Sequence, residues 1–554
     1  MKRVLLLFFF LFIPYIINSF NLKIISPRLA MPVITDSAII EIDIAIDTNE
    51  FSELYTTVFS DKDTAVVNLY PIENVDSNVW KFYASLPSIP HGLYSLAVWF
   101  NAYRDTQYNA IDYIDSFPSS FKFIQFSDPH VGYSDNTSKY IGETVRDINF
   151  INPDFAILTG DFAEKGNHPE WYEEALDSLK RLRVPVYVIS GNHDWYNWMY
   201  LPTDENNYLE YVNPFANYSF EFGNSFFILL DSGEDDLPSF TSNCYGLTDA
   251  QIVWTDSVLS RYQEDKTGFI FMHGPFWDDE NNENRYGKEQ FIELCSAYNV
   301  DMVFCGHVHK NKFFDKDGNR YTGDIYPISG TKFIQTTTSG KSDYENCGYR
   351  LIRIQNDSIL NYSTDPDGDG TRNFATSLML SSIDESYVLT TDSLNAVIIV
   401  RNNSNETFKN TKIYIDMNPD TTYKVSVGNI ISSNNGHLII RISTVEPNSL
   451  DSVVVSPIDY SGLGRHMYNI SGKIRIVPNP FNSKCKIYFD RKNKNIIKGK
   501  IYSLIGREVK RFETNGDFYI WNGCDNEGKV VPQGPYMIVI DGEREFTKKF
   551  FKMK

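Results

Sequence analysis

Between Phe121 and His309 the chain carries apolar runs that do not alternate with polar residues, and each run ends in side chains able to bind metal. Phe155-Ala156-Ile157-Leu158 is the clearest case. Uninterrupted apolar character suits a strand covered on both faces, whereas a half-exposed strand alternates. Five such runs close on polar groups: FKFIQFSDPH on Asp128 and His130, FAILTGD on Asp161, VPVYVISGNHD on Asn192, His193 and Asp194, GFIFMHGP on His273, and VDMVFCGHVH on His307 and His309. An open α/β sheet builds its site at the carboxyl ends of its strands, and these groups all fall there.

Intervening segments have helical spacing. Pro169 follows His168 at a first helical position, and Trp171, Ala175, Leu179 and Leu182 recur on one face. Thr248 to Tyr262 and Lys288 to Tyr298 read the same way, so the region is layered α/β. The i, i+2 spacing of Asp128/His130 and of His307/His309 would put each pair on one side of an extended chain.

Three carboxylates, one amide and five imidazoles are more donors than one divalent ion can use. Without cysteine in the motifs, the mixture suits two ions of Mn, Fe or Zn better than a thiolate site or an all-oxygen calcium site.

The ordered set DPH, GD, GNHD, HG and GHVH resembles the calcineurin-like metallophosphoesterases over roughly residues 121 to 364. The resemblance implies that Asp128, His130, Asp161 and His309 hold one ion. Asp161, Asn192, His273 and His307 would hold the other, with Asp161 bridging. It implies hydrolysis of phosphate esters by in-line attack of a hydroxide shared by the ions. His193 would protonate the leaving oxygen as general acid and Asp194 would orient or support that imidazole. Purple acid phosphatases, a subgroup, place a tyrosine ligand three residues after the motif aspartate. Glu164 stands there, which argues against an iron–tyrosinate site.

Cationic side chains near the motifs are Lys310, Lys312 and Arg285, and none forms an evident bidentate phosphate clamp. A phosphomonoester dianion benefits more from such a clamp than a diester monoanion does, which tilts the reading toward diesters. A phosphomonoesterase or nucleotidase with the same centre is the alternative within enzymes. A surface binding protein with an incidental phosphoesterase fold is the alternative outside them. Trp195, Tyr196, Trp198, Tyr200, Phe276 and Trp277 crowd two motifs and are equally readable as substrate contacts or as loop packing.

Length and patterning place other modules around this region. The expected division is a signal peptide at 1–19, a β-sandwich at 20–118, the phosphoesterase domain at 119–364, an acidic linker at 365–376, a β-sandwich at 377–470 and a C-terminal β domain at 471–554. The fold class is therefore a multidomain chain: an α/β layered metallophosphoesterase sandwich flanked by all-β, immunoglobulin-like sandwiches. Lys2 and Arg3 ahead of the apolar run Val4 to Ile17 suit a secretory signal, leaving no transmembrane span in the mature chain, with an uncleaved anchor as the rival reading. The net charge of -20 disfavours a stable nucleic-acid partner. Asp365, Asp367 and Asp369 imitate the start of a calcium loop, but Thr376 occupies its twelfth position, so a calcium-stiffened linker and a solvated turn both stay open.

The last stretch carries VPNPFN, a Gly506-Arg507 turn, WNGCDNEG and Gly534-Pro535-Tyr536. It resembles the C-terminal sorting domains of the type IX secretion route. This implies engagement of secretion machinery and a secreted or cell-surface location in a bacterium. Cys485 and Cys524 share that module and are candidates for a disulfide.

Overall fold

A computed structural model describes residues 22–552 except 62, 77, 196–206, 233–245, 263–265, 278–284, 322–329, 344–345, 360–374, 390–393, 459–474, 479–480, 490–495, 504–507, 533 and 542–545. The expected signal peptide, the acidic triplet of Asp365, Asp367 and Asp369, and the Gly506-Arg507 turn lie outside the described residues. So do Cys244, His466, Tyr196, Trp198 and Tyr200.

Strand periodicity explains why the apolar runs do not alternate. Phe121–Phe126 pairs in parallel with Phe155–Thr159, and that strand with Val186–Ile189; Gly348–Gln355 closes the sheet antiparallel on the other side. A second sheet carries Ser225–Leu230, Thr267–Met272, Met302–Cys305 and Lys332–Gln335 in parallel order. Each strand sends alternate side chains to opposite faces, and here both faces are buried. Phe123, Phe155, Phe227, Phe269 and Phe304 fill the space between the sheets. Ile124, Phe126, Ala156 and Leu158 face outward onto α1 (Asp135–Ile151) and α2 (Pro169–Leu179). Ile228, Ile270 and Val303 face α3 (Asp249–Leu259) and α4 (Lys288–Ala297). The result is four layers, helix, sheet, sheet, helix, with an aromatic centre.

Phe123 lies parallel to Phe155 at 5.4 Å and edge-on to Phe227 and Phe269 at 5.4 and 5.3 Å. It is fully buried. Phe123→Ala is expected to destabilise this domain by about 3–5 kcal/mol, through lost transfer energy plus an unfilled cavity. Denaturant unfolding of the full chain followed by tryptophan fluorescence checks it; an unchanged midpoint would contradict this packing.

Three helices match their sequence patterns to within a few residues, and α3 begins at a capping box of Thr248 and Gln251. The helix α1 was not anticipated. Its start, Asp135-Asn136-Thr137-Ser138, reads as a turn, and burial of Ile141, Val145 and Ile148 against the sheet overrides that weak local signal.

Residues Leu22 to Tyr113 form one eight-stranded sheet wrapped about its own core of Ile42, Ile44, Val58, Phe82, Leu96 and Val98. Its Arg28–Met31 turn reaches the neighbouring domain, where the Ala30 carbonyl accepts from Val188 N at 2.9 Å. Val186–Ile189 is an edge strand, so this contact covers backbone that would otherwise be open to pairing. After residue 374, two sheets of four and three strands enclose Ile398, Val400, Ile413 and Ile440, and their core is continuous with that under α1. The last module pairs a three-stranded with a four-stranded sheet about Trp521. Cys485 and Cys524 are free thiols there, so the disulfide that they could have formed is not made; Cys295, Cys305 and Cys347 are buried thiols too. Among the described residues no helix is long and apolar enough to cross a membrane.

Candidate metal centre

All the anticipated ligands arrive from the carboxyl ends of the two sheets at one buried point. The route differs from the extended pairs expected of i, i+2 spacing. Asp128, His130, Asp161, His307 and His309 all have left-handed backbone, with φ of 54, 46, 54, 69 and 54°. Non-glycine residues adopt that region rarely, and strain of this kind collects at functional sites. Tight turns rather than extended chain therefore aim both members of each pair inward.

Close approach is built into the preceding glycines. A Cβ on Gly306 would lie 1.9 Å from Ser127 Oγ, and one on Gly191 would lie 2.3 Å from Asp161 Oδ1. Any side chain at either position would separate the loops that bring the ligands together.

Two donor sets contain Asp161. In the first, Asp128, His130, Asp161 and His309 offer ligand atoms all within 4.8 Å of one another. His130 Nε2 lies 3.2 Å from His309 Nε2 and 3.3 Å from Asp161 Oδ2, and His309 Nε2 lies 3.1 Å from Asp128 Oδ1. In the second, Asp161, His273 and His307 meet the same criterion. Asn192 Oδ1 joins them 3.1 Å from His273 Nε2, which is itself 3.2 Å from Asp161 Oδ2. Asp161 belongs to both sets.

The second set tests whether a cation fits. His273 Nδ1 donates to the Thr159 carbonyl at 2.8 Å, so neutral His273 turns a lone pair at Nε2 toward two oxygen acceptors. Three buried acceptors converging without a donor are unfavourable unless a positive charge sits among them. The titration behaviour agrees. Burial opposes charge on His273, yet the Asp161 and Asp128 carboxylates push it up to about 10, so a proton is drawn to where an ion would bind. Burial pushes His307 down to about 3, which keeps the imidazole neutral, the form that ligates. Against the opposing effect of burial, neighbouring imidazoles hold Asp128 and Asp161 far below the usual carboxylate range.

Residues 121–311 match the calcineurin-like phosphoesterase family. The match spans the segment that carries the five ligand motifs. The chain is 29% identical over 215 residues to a probable glycerophosphodiester phosphodiesterase, GpdQ, of Arcobacter nitrofigilis, covering 34% of this chain and 71% of the relative. It is 25% identical over 261 residues to a probable cyclic nucleotide phosphodiesterase of Moraxella catarrhalis, covering 44% and 90%. A serine/threonine-protein phosphatase of Danio rerio is 26% identical over 230 residues, covering 36% and 73%. The chain is a metal-dependent phosphoric ester hydrolase.

Within the matched segment His193 belongs to neither ligand set. Its ring is edge-on to His130 at 4.6 Å, its Nδ1 donates to the Glu164 carbonyl at 2.7 Å, and its backbone N–H donates to Asp161 Oδ1 at 2.9 Å. Asp194 supports His193 through the loop that carries both. Its carboxylate accepts from the backbone N–H of Gly191, Phe162 and Ala163 at 2.8, 3.2 and 3.1 Å and from Tyr172 Oη at 3.2 Å. Asp194 thus ties the GNHD loop to the loop after Asp161. Burial pushes its pKa up to about 6, with Asp161 adding to the rise.

Several residues weighed from the sequence sit elsewhere. Trp195 and Phe276 are buried in packing cores, and Trp277 lies beneath Lys288, so the described aromatics pack rather than line a rim. Lys312 is buried in a strand. His168 stands at the N-cap position of α2 without a side-chain capping bond, its ring stacked on Trp171 at 3.9 Å. The sequence reading missed a second layer, Glu164 and Lys341. Glu164 Oε2 is 2.8 Å from His130 Nδ1, and Lys341 Nζ is 3.0 Å from the same oxygen. Only the acid three residues after Asp161 hinted at it.

Proposed function

We propose that this chain is an exported phosphodiesterase in which His193 is the general acid. The observation that carries the reading is the position of His193. It is an imidazole outside both ligand sets, held at Nδ1 by a carbonyl and at its backbone by the shared ligand Asp161. Fixing the proton at Nδ1 leaves Nε2 as the ring atom that can give a proton to a leaving oxygen.

Asp128, His130, Asp161 and His309 would hold one ion and Asp161, Asn192, His273 and His307 the other; Mn, Fe and Zn all suit this donor set. Such a pair supplies Lewis acidity toward phosphoryl oxygens and offsets charge on the attacking and leaving oxygens of an in-line displacement. The Thr159 carbonyl fixes the His273 tautomer, and Asp194 holds the loop that presents Asn192 and His193. Diester preference is supported by two of the cations around the centre, although Arg285 acts on His307 through its charge. Lys341 is paired with Glu164 and Lys312 is buried, so neither is set out as a clamp for a phosphomonoester dianion. Two of the relatives named above are phosphodiesterases by name.

The test is to strip the chain, reload it with Mn, Zn or Fe, and assay an aryl phosphomonoester beside the matching bis-aryl diester. Diester turnover should exceed monoester turnover in the best metal form. The reverse ranking would establish the phosphomonoesterase alternative, and silence on both with two ions bound would favour the binding-protein alternative. Export rests on the basic and apolar start and on the sorting-like tail. Protein recovered from the cell surface or medium should begin at Phe20; protein that starts at Met1 in the cytoplasm would end that part of the reading.

A further inference from the structure

Residues 336–341 lie far from the five ligand motifs' own turns in sequence, yet they are fastened to the Asp128 loop. Thr338 Oγ1 donates to the Asp128 carbonyl at 2.6 Å and accepts from Lys341 N at 2.7 Å, while Ser339 N donates to the Ser127 carbonyl at 2.7 Å. Gly340 passes so close that a Cβ would lie 2.0 Å from the Pro129 carbonyl. This pinning sets where Lys341 can reach.

Its ammonium lies 3.3 and 3.0 Å from the two Glu164 oxygens and 4.9 Å over the Tyr133 ring. Glu164, 5% exposed, sits beside His130 Nδ1 at 2.8 Å and His193 Nδ1 at 3.7 Å. The His130 contact is out of line with the ring N–H, so it acts through charge more than as an aligned hydrogen bond. His130, Glu164 and His193 offer donors within 4.8 Å of one another, and the cation that meets Glu164 there is the lysine ammonium.

We propose that Glu164 and Lys341 are opposed positioning residues that set the affinity of the centre for its ions. The inference rests on the two-ion reading given above. A carboxylate behind a ligating histidine makes the ring a stronger ligand, and its loss typically weakens metal binding by roughly 10–100-fold. An ammonium one layer from the ions does the reverse, by repelling them and by drawing on the charge of Glu164. The pair therefore predicts effects of opposite sign, which loss of a merely structural salt bridge does not.

The experiment compares the full chain, Glu164→Gln, Lys341→Met and the double variant. Zn and Mn dissociation constants are read by competition with a chromophoric chelator, and thermal unfolding of the metal-free proteins is followed in parallel. Wild type should bind two ions. Glu164→Gln should raise a dissociation constant roughly 10–100-fold, and Lys341→Met should lower it by roughly three- to tenfold. Equal constants for Glu164→Gln and wild type, or weaker binding in Lys341→Met, would overturn the pair's role while leaving the two-ion reading intact. If Glu164→Gln does not fold, the sign of the Lys341→Met effect decides. A wild-type chain that binds fewer than two ions overturns the two-ion reading, and the pair's role with it.

Discussion

Asp161→Asn is expected to lower kcat/KM by roughly 10³-fold or more, as removal of several kcal/mol of transition-state stabilisation requires. Asp161 is the one carboxylate that both donor sets share, its Oδ2 lying 3.3 Å from His130 Nε2 and 3.2 Å from His273 Nε2. Asparagine keeps the shape and can still accept the His193 backbone N–H that Oδ1 receives at 2.9 Å. The loop should therefore survive while the shared negative charge is lost. Metal content should fall below two ions per chain with little change in unfolding temperature of the metal-free protein. Two retained ions together with a rate within tenfold of wild type would remove Asp161 from between the sets.

His193→Ala should behave differently: full metal content, with a kcat loss of roughly 10²–10⁴-fold on a diester whose leaving group is an alkoxide. The loss should shrink sharply on a diester with an acidic phenol leaving group, because a stable phenolate departs without a proton. A plot of log kcat against leaving-group pKa should thus be steeper for the variant. A loss that is the same for every leaving group would leave His193 a structural neighbour of His130 and deny it the proton.

Much of the centre was legible because its residues are chemically unusual for where they stand. Asp128, His130, Asp161, His273, His307 and His309 follow apolar runs, and imidazoles and carboxylates at the ends of buried strands have few purely structural uses. The geometry behind them was less legible. Spacing suggested extended pairs, yet the left-handed φ of 54 and 46° at Asp128 and His130 comes from the turn that the sheets impose. Asp194 read as orienting or supporting its neighbour His193. Its oxygens find the N–H groups of Phe162 and Ala163, about thirty residues earlier, because parallel pairing of Phe155–Thr159 with Val186–Ile189 sets the two following loops side by side. The aromatics after GNHD and HG gave an ambiguous signal, since a tryptophan suits a core as well as a rim, and Trp195 and Phe276 are in cores.

Sequence alone determined the layered α/β class and which donor side chains stand at the strand ends, because burial on both faces and donor type are written locally in each segment. Tertiary structure decided the left-handed turns that aim the donors, what Asp194 holds, and the presence of Glu164 and Lys341 as a second layer. Those depend on loops 177 residues apart meeting over strand ends, and no local period or spacing encodes which loops a sheet will bring together.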